Sequence, residues 1–171
     1  MVCPETFHTA RLRADRLRPE HLPELRRTHL DPRVMQHIGG VFTEEQTLAY
    51  FARALAHWDA HGHGLWLLYE PGSDESIGRV VLRHMMLDGV DEMETGYAFY
   101  EPFWGRGYAT EVTRASLGFG FEILRVSSIV AVTTPTNFPS QHVLTKCGLR
   151  HERDFQRDGS PLSLFRIDAP V

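Results

Sequence analysis

A chain of 171 residues with 42% hydrophobic and 23% charged side chains has the make-up of one globular domain, expected to span residues 1–171. No apolar run nears the roughly 20 residues that cross a bilayer, and Met1 to Ala10 lacks the apolar stretch of a secretory signal, so a cytoplasmic protein without a membrane partner is expected. The net charge of −4 argues against a nucleic-acid partner, which needs basic surface to neutralise phosphates.

From the N-terminus, Phe7 to Leu17 sets Leu12 and Leu17 among polar residues and reads as a first strand. Pro19 then opens a short helix carrying Leu22 and Leu25, which breaks at Asp31-Pro32. Thr43 and Gln46 have the spacing of a capping box, so a helix is predicted from Thr43 to His61. Leu48, Phe51, Leu55 and Trp58 would line one face of it. Three histidines, His57, His61 and His63, cluster at its end. Imidazoles four apart on a helix are a metal-binding spacing, but no cysteine completes a set. The polar end of a helix running into Gly62 and Gly64 is the simpler account, and no metal is expected. Cys3 and Cys147 have neither metal nor disulfide spacing.

Leu65 to Tyr69 is an apolar run with the look of a buried strand, followed by a turn at Pro71 to Asp74. Ile77 to Leu87 and Glu92 to Tyr100 read as two strands around a turn at Asp88-Gly89. Gly107 to Ile123 is helical, with Tyr108, Val112, Ala115, Phe119 and Ile123 on one face. Ser127 to Thr133 is a central strand by its β-branched content. Pro139 to Lys146 is a short helix closed by Gly148. Leu149 to Phe155 and Leu162 to Ile167 form a last hairpin around Asp158-Gly159. The alternation of strands and helices indicates an α/β or α+β layer fold.

The most informative segment runs from Glu101 to Thr110, between a strand and an amphipathic helix. Gly105 and Gly107, then Ala109, open the backbone to close approach. Consecutive N–H groups there can point at one anion, helped by the helix N-terminus and by Arg106. It is neither a Walker loop nor the dinucleotide fingerprint, because no Gly-Lys-Ser/Thr follows and Thr110 stands at the third glycine.

Phe103-Trp104-Gly105-Arg106-Gly107-Tyr108-Ala109-Thr110-Glu111 resembles the acetyl-CoA loop of the GNAT acetyltransferases, closest to the branch that includes the ribosomal-protein N-terminal acetyltransferases. Asn137 to Leu149, with Ser140, Lys146 and Gly148, is similar to that branch's Asn-x-x-Ser-x-x-x-x-x-Lys-x-Gly-Phe stretch. Glu94-Thr95-Gly96-Tyr97 is similar to its Glu-x-Gly-Tyr strand, and the element order agrees from about Thr9 to Ile167.

The resemblance implies a mixed, mostly antiparallel sheet of six to seven strands with about four helices on its two faces. Two central strands, near Glu92–Tyr100 and Ser127–Thr133, would splay to admit acetyl-CoA. Trp104, Gly105, Arg106, Gly107, Tyr108, Ala109 and Thr110 would hold its pyrophosphate. The backbone of Tyr97, Ala98 and Phe99 would pair with the pantetheine arm, and Asn137 would also touch the cofactor. The implied partner is an amine-bearing acceptor, either a peptide N-terminus or a small molecule, and a homodimer is compatible with the family. Trp104 stands where the wider superfamily often has Gln or Arg, and Leu144 where many members have a Tyr acting as general acid.

Acetyl transfer from a thioester needs a neutral amine, a polarised carbonyl and a hydrogen bond or proton for the leaving thiolate. Alternation puts Glu92, Glu94, Gly96, Ala98 and Tyr100 on one strand face, with room beside Gly96 and Ala98. Glu94 is therefore the candidate base, against the commoner fate of a solvated edge carboxylate. Ser140 either caps its helix or bonds the coenzyme's sulfur, and Asn137 either closes an Asx-turn or meets the cofactor. Cys147 reads as a small packing residue rather than a nucleophile, so direct attack in a ternary complex is expected. Arg11, Arg13, Arg16 and Arg18 would favour an acidic ligand or form a solvated strand face. A non-catalytic acyl-CoA sensor would keep the glycine loop without needing a base.

Overall fold

In the computed structural model, which describes residues 1–170, two short strands come first, β1 (Thr6–His8) and β2 (Arg13–Arg16). Helices α1 (Leu22–Leu30), α2 (Pro32–Met35) and α3 (Glu44–His61) follow. Then come β3 (Leu65–Tyr69), β4 (Ser76–Leu87) and β5 (Val90–Phe99). Helix α4 (Tyr108–Gly118) ends in a π turn over Phe119–Ile123. Strand β6 (Ser128–Thr133), helix α5 (Phe138–Lys146) and the hairpin β7 (Arg150–Arg157) and β8 (Ser160–Asp168) complete the chain.

The sheet has eight strands in the order β1-β2-β3-β4-β5-β6-β8-β7. That is more than the six to seven expected, because the first predicted strand folds back on itself. Thr9 takes the Leu12 amide on its hydroxyl (3.1 Å) and gives its own amide to the Leu12 carbonyl (2.9 Å). This tight turn splits Phe7 to Leu17 into β1 and β2, which pair antiparallel. Five helices form where about four were expected, the extra one being the single turn of α2, capped by Asp31 on Arg33 N and Val34 N.

Turn chemistry sets the long hairpins. Asp88 and Gly89 sit at φ 51° and 82°, and Asp158 and Gly159 at 50° and 76°. Positive φ at both central residues matches the twist of the strands joined. The capping box at Thr43 and Gln46 is formed, and α3 buries Phe51 and Trp58. Leu48, expected on that face, is 42% exposed. The helix is turned so that Thr47 faces inward, where its hydroxyl meets Nδ1 of buried His29 (3.1 Å).

Every neighbouring pair of strands is antiparallel except β5 and β6, which are parallel and share one register pair, Glu94 with Val130. Beyond that pair β5 stays laddered to β4 and β6 to β8, while their facing edges part. On one face the odd residues of β5 join the main core, with Met93, Phe99, Val112, Leu117 and Ile129. The other face carries the smaller core of Leu17, Leu25, Phe51, Leu65, Leu67 and Val81 beneath α1 and α3.

Gly78 is needed for close approach of β4 and β5. A Cβ there would stand 2.3 Å from the Ala98 carbonyl oxygen and 2.8 Å from the Phe99 ring. Overpacking of this kind costs about 1–3 kcal/mol. Gly78→Ala is expected to lower the melting temperature by about 5 °C; an unchanged melt would show that β5 yields at no cost.

Candidate active site

The strand-to-helix loop is built for close backbone approach. A 3-10 turn, Glu101–Phe103, leads from β5, and Gly105 (φ 72°) and Gly107 (φ 82°) take left-handed conformations before α4. Gly107 is the N-cap of α4 and offers no side-chain cap. After Trp104, whose amide bonds the Glu101 carbonyl, the next backbone donor with a protein acceptor is Glu111, onto Gly107 O (3.1 Å). The amides from Gly105 to Thr110 thus have no protein acceptor among the described residues. Unpaired donors at a helix N-terminus are an anion site in the making.

Side chains fix the loop from behind. Arg11 bonds Glu111 through Nε (2.8 Å) and the Arg106 carbonyl through Nη1 (2.8 Å). Glu70 accepts from the Tyr108 hydroxyl (2.6 Å) and pairs with Arg106 (3.3 Å). Trp104 donates its indole N–H to the Phe99 carbonyl (2.7 Å). That carbonyl thus already accepts one hydrogen bond, with a second lone pair left over.

Asn137 is the N-cap of α5, its Oδ1 accepting from Ser140 N (3.3 Å). The cap belongs to Asn137, so Ser140 keeps its hydroxyl for other use. Tyr97 donates its hydroxyl to Ser140 Oγ (3.2 Å), which joins β5 to α5 across the parted strands. Burial pushes the Tyr97 phenol up to about 12, so it stays protonated at neutral pH. Leu144 is buried in the core and offers no proton. Cys147, raised by burial, remains a thiol against the Thr110 carbonyl (3.7 Å).

On the opposite face of β5, Glu94 is 8% exposed and its Oε2 takes Arg83 Nε at 2.7 Å. Arg83 also reaches the Tyr50 hydroxyl (3.4 Å). Glu94 Oε1 has no protein partner among the described residues. Neighbouring Glu92 pairs with Arg166 through both oxygens (2.7 and 3.0 Å). Sequence reading missed Arg83, although a signal was present. It lies five residues before Asp88, and Glu94 lies five after Gly89, so the turn places them opposite each other. A surface hollow of about 740 Å3 over α1 and α2 lies apart from these groups, and its arginines Arg26, Arg27 and Arg33 are paired with Glu44, Glu75 and Glu101.

The family description "Acetyltransferase (GNAT) domain" matches residues 11–150. The chain belongs to the GNAT acetyltransferase family. It is an N-acetyltransferase by that membership, and the family's co-substrate is acetyl-CoA. The chain is 30% identical over 159 residues to the FsC-acetyl coenzyme A-N(2)-transacetylase of Aspergillus fumigatus, covering 88% of this chain and 67% of that one. It is 33% identical over 128 residues to the N-acetyltransferase YnaD of Bacillus subtilis, covering 74% and 72%. The fold superposes on an acetyltransferase from Agrobacterium tumefaciens with TM-score 0.84, 28% identity and coverage of 98% and 96%. RimL, a ribosomal L7/L12 alpha-N-protein acetyltransferase crystallised with coenzyme A, shares the fold at TM-score 0.78 and 15% identity, over 96% and 98% of the two chains.

The histidines form a larger cluster than the sequence implies. His84 of β4 joins His57, His61 and His63, with ring centroids 4.5–5.9 Å apart. No group among the described residues is arranged to hold a metal. His57 has both nitrogens engaged, Nδ1 with the His63 carbonyl (2.8 Å) and Nε2 with the His84 amide (3.1 Å). Burial first, then neighbouring imidazoles, push His57 down to about 4, and His63 is lowered likewise. His29 is also near 4, through burial and the charge of Arg79. An unfolded histidine titrates near 6.5. The unfolded chain therefore binds more protons between pH 6.5 and 4, and stability present above pH 6.5 is lost as pH falls through that window. The melting temperature is expected to drop by about 5–10 °C from pH 7 to pH 5, with a smaller drop in His57→Gln. Identical pH dependence in the two proteins would remove the cluster as the cause.

Proposed function

We propose that this chain moves the acetyl group of acetyl-CoA directly onto a primary amine, within a ternary complex. The observation that carries the reading is the row of acceptor-free amides from Gly105 to Thr110, at the end of two strands that part after a single pair. A diphosphate suits those donors, and the parted edges suit an extended amide-bearing arm. Trp104, Gly105, Arg106, Gly107, Tyr108, Ala109 and Thr110 hold the diphosphate in this reading. Tyr97, Ala98 and Phe99, with Asn137 from α5, line the arm.

Glu94 accepts the proton that the attacking nitrogen must lose. One carboxylate oxygen is fixed by Arg83, and the other is free to receive the proton directly or through one water. As the carbon–sulfur bond breaks, the negative charge collects on sulfur. Ser140 donates its hydroxyl hydrogen toward that charge. Tyr97 makes this possible by donating to Ser140 Oγ, which turns the serine hydrogen away from the phenol. Leu144 leaves no rival donor on that part of α5. The acceptor is a peptide N-terminal amine or a small-molecule amine. A single-domain, cytoplasmic enzyme, with a homodimer as an allowed state, completes the proposal.

Free-thiol release from acetyl-CoA across an amine panel tests the activity. Glu94→Gln is expected to lower kcat by about 100-fold and to flatten the acidic side of its pH profile. Ser140→Ala is expected to lower kcat by about 10- to 100-fold with KM for acetyl-CoA nearly unchanged. Full activity in both variants would remove both roles, and acetyl-CoA-independent behaviour would remove the reading itself.

A further inference from the structure

Among the described residues, Arg79 is the one arginine that is buried, with 5% of its surface exposed. Arg11, Arg13, Arg16 and Arg18, the arginines that sequence singled out for an acidic ligand, all pair with carboxylates of the chain. Arg79 has no carboxylate within ion-pair distance among the described residues. Its one hydrogen bond is from Nη1 to Nε2 of His29 (2.9 Å), a neutral acceptor whose Nδ1 faces Thr47. The Tyr50 ring lies 5.2 Å from the guanidinium carbon. A guanidinium has five N–H donors, so most of them are left over. The leftover atoms are also not sealed. Neither Nε nor Nη2 of Arg79 is among the fully buried side-chain atoms without a hydrogen bond, so both touch solvent-accessible space.

A buried charge without a counter-charge is strongly unfavourable. Arg79 and Glu94 are the two buried non-histidine charges, and they lie on one face of the β4–β5 hairpin. Glu94 has Arg83 opposite it, while Arg79 has Ala98. Between them β5 presents Gly96, where an added Cβ would meet nothing nearer than Val81 at 3.4 Å. We propose that the acceptor carries an oxyanion, carboxylate or phosphate, several bonds from its amine, and that Arg79 receives it. This rests on the acetyl-transfer reading in which the amine lies at Glu94. Arg79 and Arg83 are four residues apart, about 13 Å of strand. Their guanidinium carbons both lie close to the centre of the Tyr50 ring, at 5.2 and 5.9 Å, so the charged ends are nearer than the backbone positions and within reach of a small flexible acceptor.

Free-thiol release is measured with ω-amino acids and ω-aminoalkyl phosphates of about four to eight carbons, a length that spans the two positions, against alkylamines of equal length. The anionic member of a pair is expected to show kcat/KM about tenfold higher or more, a difference of about 1.4 kcal/mol. The carboxylate and phosphate arms tell which oxyanion is preferred. Arg79→Gln is expected to lose that preference and Arg79→Lys to keep part of it, both judged on variants whose thermal melts show a folded chain. Equal turnover of the paired amines, or a preference that survives in Arg79→Gln, overturns the inference. Absence of thiol release with every amine counts against acetyl transfer instead. Calorimetric titration of the same pairs onto wild-type protein saturated with coenzyme A then decides between anion preference and none, independently of turnover and of the variants.

Discussion

The site depends on β5 and β6 meeting at one place and then parting. Both strands keep a full ladder on their outer sides, β5 to β4 and β6 to β8. Parting therefore removes hydrogen bonds from the inner edges without loosening either strand. Backbone groups without partners are costly when buried, so such an opening persists only where something else meets them. Because β5 and β6 are parallel, both point their C-terminal ends the same way. The loop after β5 then leads straight to the N-terminus of α4. The opening and the acceptor-free amides thus lie at the same end of the sheet, as ligand sites do in open α/β sheets.

Charged side chains around the loop act on geometry more than on stability. Exposed ion pairs such as Arg11–Glu111 and Arg106–Glu70 contribute little folding energy. Their effect is to hold the Arg106 carbonyl and the Tyr108 hydroxyl, in a loop whose amides keep no protein acceptor among the described residues. Arg106 is held by one long ion pair at 3.3 Å and lies over the Phe103 ring, 5.1 Å from its centre.

The fold was legible because turn and capping residues act locally. Asp88-Gly89, Asp158-Gly159 and the Thr43–Gln46 capping box each specify a structure within a few residues. The first strand was misread because one threonine hydroxyl, that of Thr9, closes a turn that propensity does not reveal. The glycine loop, Glu94 and Ser140 were visible as motifs. What they touch was not, because Tyr97 and Ser140 are 43 residues apart, and His57 and His84 are 27 apart. Such contacts arise only when the sheet assembles. Leu48 shows the same limit in reverse. A helical period locates a stripe, but the buried Thr47–His29 bond decides how far the helix rotates.

Strand alternation also explains why one short element serves both halves of the site. Thr95, Tyr97 and Phe99 face α4 and α5, through Ser116, Ser140 and Tyr108. Glu94 and Tyr100 face α3 and α1, through Arg83, Tyr50, Arg27 and Thr28. A slip of one residue in the β4–β5 register would exchange every one of these roles. Hydrophobic patterning resists that slip, because Met93, Tyr97 and Phe99 lie on the core face of β5 and Glu92, Glu94 and Gly96 on the other. The Asp88-Gly89 turn, with positive φ at both residues, favours the same register. A turn at the far end of the hairpin and the apolar face of the strand thus agree on which side of β5 carries Glu94.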